Sequence, residues 1–169
     1  MARNRVTPFG TIEDLRGRGL LMGNRGILHE GREIRRRWAS TAWIACVLEF
    51  KGWRAPQWAR GHYTPLFFLD EATALAAGHR PCALCQRADH RRFRTAWGEM
   101  PLPEIDATLH RERTGERPVV AAADLTDGAM VAVDGTAHLV LGGALRPWSM
   151  TGYGPPLALP ATVTLLTPA

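Results

Sequence analysis

One segment of this 169-residue chain leaves little freedom in how it folds: Phe67-Phe68-Leu69-Asp70-Glu71-Ala72-Thr73-Ala74-Leu75-Ala76-Ala77-Gly78-His79-Arg80-Pro81-Cys82-Ala83-Leu84-Cys85. Asp70 is a good N-cap, because its carboxylate can accept from the free N–H groups of a first turn. Glu71 beside it suits the positive end of the helix dipole. An alanine-rich turn follows, and Gly78 stands where a left-handed residue closes a helix. The segment therefore predicts a strand end over Leu66 to Leu69, a short capped helix, a stop, and a Cys-x-x-Cys pair. Beyond it, Ala83 to Trp97 contains no proline or glycine and carries Leu84, Ala88, Phe93, Ala96 and Trp97 on one stripe, which predicts a second helix. That helix would open at the cysteine pair, where the dipole and free N–H groups lower a thiol pKa.

Upstream, Ala42 to Phe50 is an apolar run with β-branched and aromatic members, predicting a buried strand that ends at Lys51-Gly52. Residues 1–30 are rich in glycine and arginine and read as loop or short strand, and Trp53 to Tyr63 reads as a loop. Downstream, Pro101-Leu102-Pro103 ends the second helix, and Glu104 to Arg113 predicts another short one. Gly128 to Val140 is two apolar runs around Asp134-Gly135, a strong two-residue hairpin signal. Gly142-Gly143 predicts another turn and Ala161 to Leu166 another strand, so the tail reads as a small antiparallel meander. The chain as a whole is expected to be α+β.

Charge divides unevenly along this frame. Residues 1–100 hold 17 Lys+Arg against 9 Asp+Glu, whereas residues 101–169 hold 4 against 7. Every basic residue except Lys51 is arginine, whose planar fork suits phosphates and base edges. The basic first half therefore points to DNA or RNA as partner, although a GC-rich genome also yields arginine in place of lysine. No apolar run approaches the roughly 20 residues a membrane span needs, so no membrane partner is expected. Met1-Ala2-Arg3-Asn4-Arg5 lacks the apolar segment of a secretory signal. Three cysteines, an odd number, fit a reducing cytoplasm better than a disulfide framework.

Those three cysteines carry the chemistry. A tetrahedral zinc site takes four ligands, commonly Cys or His. Cys82 and Cys85 supply two, and Cys46, at a strand end, supplies the third. The fourth must be a histidine or a carboxylate; His62, His79, His90 and His29 are the candidates. His62 is preferred, because it lies in the loop that returns from Cys46 toward the pair. His90 would project elsewhere from the helix, and His79 is too close to Cys82 to close a tetrahedron. The expected metal set is thus Cys46, Cys82, Cys85 and His62, with zinc as cofactor. Three small buried thiols without metal are the alternative, and a redox pair lacks its usual βαβ setting.

The order aromatic-aromatic, Glu71-Ala72, Ala76-Ala77-Gly78, Arg80-Pro81-Cys82 and Cys85 resembles the zinc-binding domain of the bacterial Ada DNA-repair proteins. The resemblance covers about 20 residues, with a weaker extension from Thr41. It implies that Cys82 and Cys85 are zinc ligands and that Cys46 stands where the family's first cysteine follows a strand. It also implies that His79 occupies a position aromatic in the family. Phe50 departs from the pattern, for it stands where the family's upstream Cys-x-x-x-Cys pair has its second cysteine. In that family the first cysteine accepts a methyl group from DNA, a role that would here fall to Cys46.

Other signals are weaker. His110 to Pro118 has the wording of a zinc-finger linker, but no finger precedes or follows it. Gly23 to His29 is a Gly-Arg loop that either touches phosphate through Arg25 or is an ordinary turn. Trp43, Trp53, Trp58 and Tyr63 are candidates for stacking on bases, and Trp43 equally for the core. His29, His62, Asp70 and Glu49 would be the bases of a metal-dependent nuclease, although Asp70 and Glu71 read first as helix capping. These readings together predict an Ada-like zinc knuckle within a basic region, residues 1–100, and a small β-rich region, 101–169, packed on it. The expected function is zinc-stabilised nucleic-acid binding, linked to DNA repair, with Arg25, Arg87, Arg91 and Arg94 on phosphates. A nuclease, a Cys46 methyl acceptor and a protein-interaction module with structural zinc are the alternatives, and no catalytic residue is assigned.

Overall fold

The computed structural model describes residues 4–168; residues 1–3 of the arginine-rich opening lie outside it. In chain order the N-terminal part contributes β1 (Arg5–Val6), β2 (Ile12–Glu13), β3 (Leu21–Asn24), β4 (His29–Glu30), β5 (Glu33–Ile34), β6 (Ile44–Val47) and β7 (Leu66–Phe68). Helix α1 (Glu71–Ala76), β8 (Arg80–Pro81), α2 (Arg87–Ala96) and α3 (Leu102–Thr114) follow. The C-terminal part holds β9 (Val119–Ala121), β10 (Met130–Val133), β11 (Thr136–Leu141), β12 (Ala144–Ser149), β13 (Gly152–Tyr153) and β14 (Thr162–Leu165). The chain is α+β, as its sequence implies.

Two six-stranded sheets frame the molecule, in the orders β2-β1-β7-β3-β6-β8 and β13-β12-β11-β10-β14-β9. The second is antiparallel throughout. Its central hairpin turns at Asp134-Gly135, with φ of +47° and +74°, the double left-handed conformation a two-residue hairpin requires. The first sheet is mixed: β1 pairs with β7, and β6 with β8, in parallel.

Helix α1 lies between the two sheets. Ala74 and Ala77 pack with Val6, Leu66 and Phe68 of the first sheet, while Ala76 packs with Met130, Ala137 and Leu166 of the second. A six-residue helix cannot sustain itself in water, so its side chains must be small enough to let a sheet approach from either side; alanine fills that need. The expected cap is present. Asp70 accepts from the Thr73 N–H at 2.9 Å, and Gly78 takes φ +80° at the stop. The second carboxylate oxygen of Asp70 accepts from the Tyr153 hydroxyl at 2.7 Å, and the Trp148 indole N–H donates to Thr73 Oγ1 at 2.9 Å. One capping motif thus also ties the second sheet to the helix.

Behind β6 and β8 sits a buried cationic cluster. Trp43 is clamped between the guanidinium groups of Arg25 and Arg113, each 3.7 Å from the ring centroid. Arg25 also donates to His79 Nε2 at 3.1 Å and to the Gly10 carbonyl at 3.0 Å. Arg113 donates to the carbonyls of Gly78 and Thr41. Desolvated cation–π contacts of this kind contribute about 2 kcal/mol or more. Arg80 forms a bidentate pair with Asp106 on α3, at 2.6 and 3.0 Å, almost out of contact with solvent. These contacts fix the segment that leads into Cys82.

Helix α2 differs from expectation at its start. It begins at Arg87, because Gln86 donates its side-chain amide to the Ala45 carbonyl at 2.7 Å and adopts a non-helical backbone, φ −125° and ψ 51°. Cys82 and Cys85 therefore occupy the preceding turn, closed by Gln86 N–H to the Cys82 carbonyl at 3.1 Å, rather than the first turn of a helix.

Candidate metal centre

The sulfur atoms of Cys46, Cys82 and Cys85 all lie within 4.8 Å of one another. Cys46 comes from β6. Cys82 follows β8, whose Pro81 sits beside Ala45, and the Cys82 N–H donates to the Ala45 carbonyl at 2.9 Å. Parallel pairing of these two strands, 36 residues apart between the two cysteines, is what brings the lone cysteine to the pair. The turn then carries Cys85 back beside Val47, with which it lines the same groove.

The donor set suits a metal ion. Zinc–sulfur bonds of about 2.3 Å arranged tetrahedrally place sulfurs about 3.8 Å apart, within the spread found here. Among the described residues no fourth His, Cys, Asp or Glu joins the three. His62 in particular stands apart: it is exposed, in the turn closed by His62 N–H to the Ala59 carbonyl, and its Nδ1 sits 3.2 Å from the Arg60 carbonyl oxygen. Gly61, at φ +77°, turns that segment outward, which is why proximity along the chain misleads. His90 Nδ1 is 3.0 Å from the Pro81 carbonyl oxygen, and His29 pairs with Thr64 at 2.6 Å.

Protonation follows position. Burial pushes the Cys46 thiol up, and the neighbouring Cys82 and Cys85 sulfurs add to the effect. Burial acts in the same sense on Cys82, but N–H groups of Cys85 and Leu84 aimed at its sulfur outweigh it and pull the thiol down. Burial raises Cys85. Tyr63, which lines the same groove as the three cysteines, is pushed up to about 12 by burial and by the three sulfurs.

The sulfurs open onto a groove of about 300 Å³ lined by Met22, Asn24, Phe50, Trp53, Tyr63 and Leu84, among others. Trp53 and Leu84 are 53% and 63% exposed at its rim. Trp53 is held by a tight hairpin turn, its N–H and carbonyl exchanging bonds of 3.0 Å with Phe50 across Lys51-Gly52. Met22 and Asn24 carry no local signal in the sequence, and only strand pairing of β3 with β6 brings them to the sulfurs; Leu84, between the paired cysteines, is exposed at the rim instead of on a buried helix stripe.

Of the arginines expected on phosphates, Arg87 and Arg91 are exposed on α2. Arg94 is half-buried and donates to the Met100 carbonyl at 2.5 Å. Arg25 is a correction: it is 1% exposed, its guanidinium spent on Trp43, His79 and backbone carbonyls, so no phosphate reaches it. Trp43 is likewise core, at 3% exposure. The bases considered for a nuclease do not converge on a metal among the described residues. Asp70 caps α1, and Glu49 pairs with Arg54 at 2.5 Å. No helix among the described residues is long and apolar enough to cross a membrane. Comparison with protein families, with curated proteins and with solved structures returns no match.

Proposed function

We propose that this chain is a zinc–thiolate protein that binds nucleic acid, in which Cys46, Cys82 and Cys85 would hold the ion beside the groove they line. The observation that carries the reading is the convergence of three sulfurs, within 4.8 Å of one another, on an aromatic-rimmed groove instead of a closed core. Structural zinc sites are closed by four protein ligands, whereas sites that act on a ligand keep one position open. Held by Cys46, Cys82 and Cys85, zinc would keep the three thiols deprotonated and would supply a Lewis acid beside the groove.

The chain's own residues prepare that site. The Leu84 N–H, 3.4 Å from Cys82 Sγ, orients that sulfur, and Gln86 pins the turn to β6. Phe50 and Trp53 supply one aromatic wall of the groove. The resemblance of Phe67 to Cys85 to Ada-like zinc-binding domains points the same way for two of the three ligands. The excess of arginine over acid in residues 1–100 supplies the affinity for a polyanion. Because the Cys46 sulfur lines the groove, a thiol that accepts an alkyl group from a bound strand is the second reading.

Elemental analysis of the purified chain is expected to give one zinc per molecule. Cobalt in its place is expected to show thiolate charge-transfer bands that shift when free imidazole or a small thiol is added. Binding to DNA or RNA is expected to weaken linearly in log–log form as salt rises. A chain that takes up no stoichiometric metal, or that ignores nucleic acid at every salt concentration, overturns the proposal. A mass increase of one methyl group on Cys46 after exposure to alkylated DNA, lost in Cys46→Ser, separates the second reading from the first.

A further inference from the structure

One face of the N-terminal sheet packs on α1; the other carries two grooves, with Met22, 4% exposed, buried between them. Val6, Leu66, Phe68 and Ala45 point to α1. The alternate residues point away, and strand register places four of them in a single transverse row: Arg5 opposite Phe67, Phe67 opposite Met22, and Met22 opposite Cys46. Three inter-strand steps make this row about 14 Å long, the rise of about four stacked nucleotides.

Two grooves meet along it. The sulfur groove occupies the Cys46 end. A second, of about 570 Å³, is lined by Arg5, Arg18, Arg54, Leu48 and Phe67, and Met22 is a wall of both. The turn at Lys51-Gly52 feeds the two in succession, with Trp53 lining the first and Arg54 the second. Arg5 lies over the Phe67 ring at 5.1 Å, so cation and aromatic already share one surface. Arg18 is exposed and forms no ion pair among the described residues. Aromatic faces alternating with arginines along a sheet are the chemistry that single strands use: unpaired bases stack, and phosphates track the charge. A duplex, with its bases already stacked, has no use for an exposed Trp53.

We infer that a single-stranded nucleic acid crosses the face of the N-terminal sheet opposite α1, following the two grooves that flank Met22, with phosphate on Arg18, a base on Trp53, and one nucleotide delivered to the three sulfurs. The inference rests on the nucleic-acid reading of the preceding subsection and adds to it a strand type, a path and a polarity of contacts. The phosphate end of the path is the Arg5–Arg18 groove and the metal end is the Cys46 groove.

Fluorescence anisotropy with a labelled twelve-nucleotide thymine strand, a uridine strand and a matched duplex tests it on the zinc-loaded full chain. Arg18 and Trp53 are both exposed, so Arg18→Glu and Trp53→Ala leave the core intact, which circular dichroism verifies. Trp53→Ala is expected to weaken single-strand binding about 5- to 150-fold. Arg18→Glu is expected to weaken it as well and to lower the salt slope by about 0.7 or more. Arg111→Glu, the same charge change on the exposed face of α3, is expected to bind as the unaltered chain does. If Arg18→Glu and Trp53→Ala bind normally while Arg87→Glu/Arg91→Glu does not, the path is wrong and nucleic-acid binding stands on α2. Preference for the duplex likewise overturns the path alone. If the unaltered chain binds none of the three probes, path and nucleic-acid reading fall together.

Discussion

Lowering the pH should destabilise this protein through one identifiable ring. His79 is 1% exposed, packed edge-on against Phe68 at 4.6 Å and tilted against Trp43 at 5.0 Å between ring centroids. Its Nε2 accepts from Arg25 Nε at 3.1 Å, so the ring is neutral in the fold. Burial holds its pKa well below the ordinary histidine value of 6.5, and the Arg25 and Arg113 cations deepen the shift. A depressed histidine pKa means that the unfolded chain binds the extra proton. Stability is therefore unaffected by this group above pH 6.5 and falls as pH drops below it, for as long as the folded ring stays neutral. The slope approaches about 1.4 kcal/mol per pH unit while the folded ring stays neutral, giving a loss of about 1.4 kcal/mol at pH 5.5. His79→Gln keeps an acceptor for Arg25 but cannot titrate. Urea unfolding of both proteins at pH 7.5 and 5.5 should show the gap between them change by about 1.4 kcal/mol, in the direction that favours the variant at low pH. Burial also lowers His110, with Arg113 adding to it, but His110 is common to both proteins and drops out of the difference. A gap that stays constant, or a His79 ring proton that titrates near 6.5 in the folded state, would refute the reasoning.

Three substitutions probe the frame around the site. Asp106→Asn leaves the Arg80 guanidinium buried without its counter-charge and should cost about 3–5 kcal/mol in chemical denaturation, much of it recovered when Arg80→Met and Asp106→Leu are combined. A Cβ at Gly23 would sit 2.5 Å from the Phe68 ring, so Gly23→Ala should lower stability by about 1–3 kcal/mol, read from a shifted urea midpoint with unchanged slope. Tyr153→Phe removes the hydroxyl that Asp70 accepts and should cost about 1 kcal/mol, measured as a lower thermal midpoint.

Legibility in the sequence followed the range of the interactions. The Asp70 cap, the Gly78 stop and the Asp134-Gly135 hairpin depend on neighbours within a few residues, and each is found where the sequence puts it. The two-residue strands β1, β2, β4 and β5 are too short to show any period. The Cys82–Cys85 pair is visible, and so is Cys46 as its partner by elimination; the cause of their meeting is not, because it is a parallel pairing of β6 with β8 across 36 residues. His62 illustrates the converse error, since nearness along the chain says nothing about which way a Gly61 turn faces. Arg25 misled for another reason. An arginine between glycines reads as a solvated loop until Trp43, 18 positions on, is known to offer it a ring. Helix α2 started late because a glutamine amide found a strand carbonyl, a contact no propensity contains.

The splitting of the sulfurs between β6 and the turn after β8 has a thermodynamic corollary. An unfolded chain offers a metal only the Cys82–Cys85 pair, for Cys46 is then separated from them by a long flexible loop whose closure is entropically unfavourable. An ion that engages all three is therefore a ligand of the native state almost alone. Each tenfold rise in free ion above its dissociation constant adds about 1.4 kcal/mol to the free energy of unfolding. With such an ion, the melting temperature would read out how much free metal surrounds the protein.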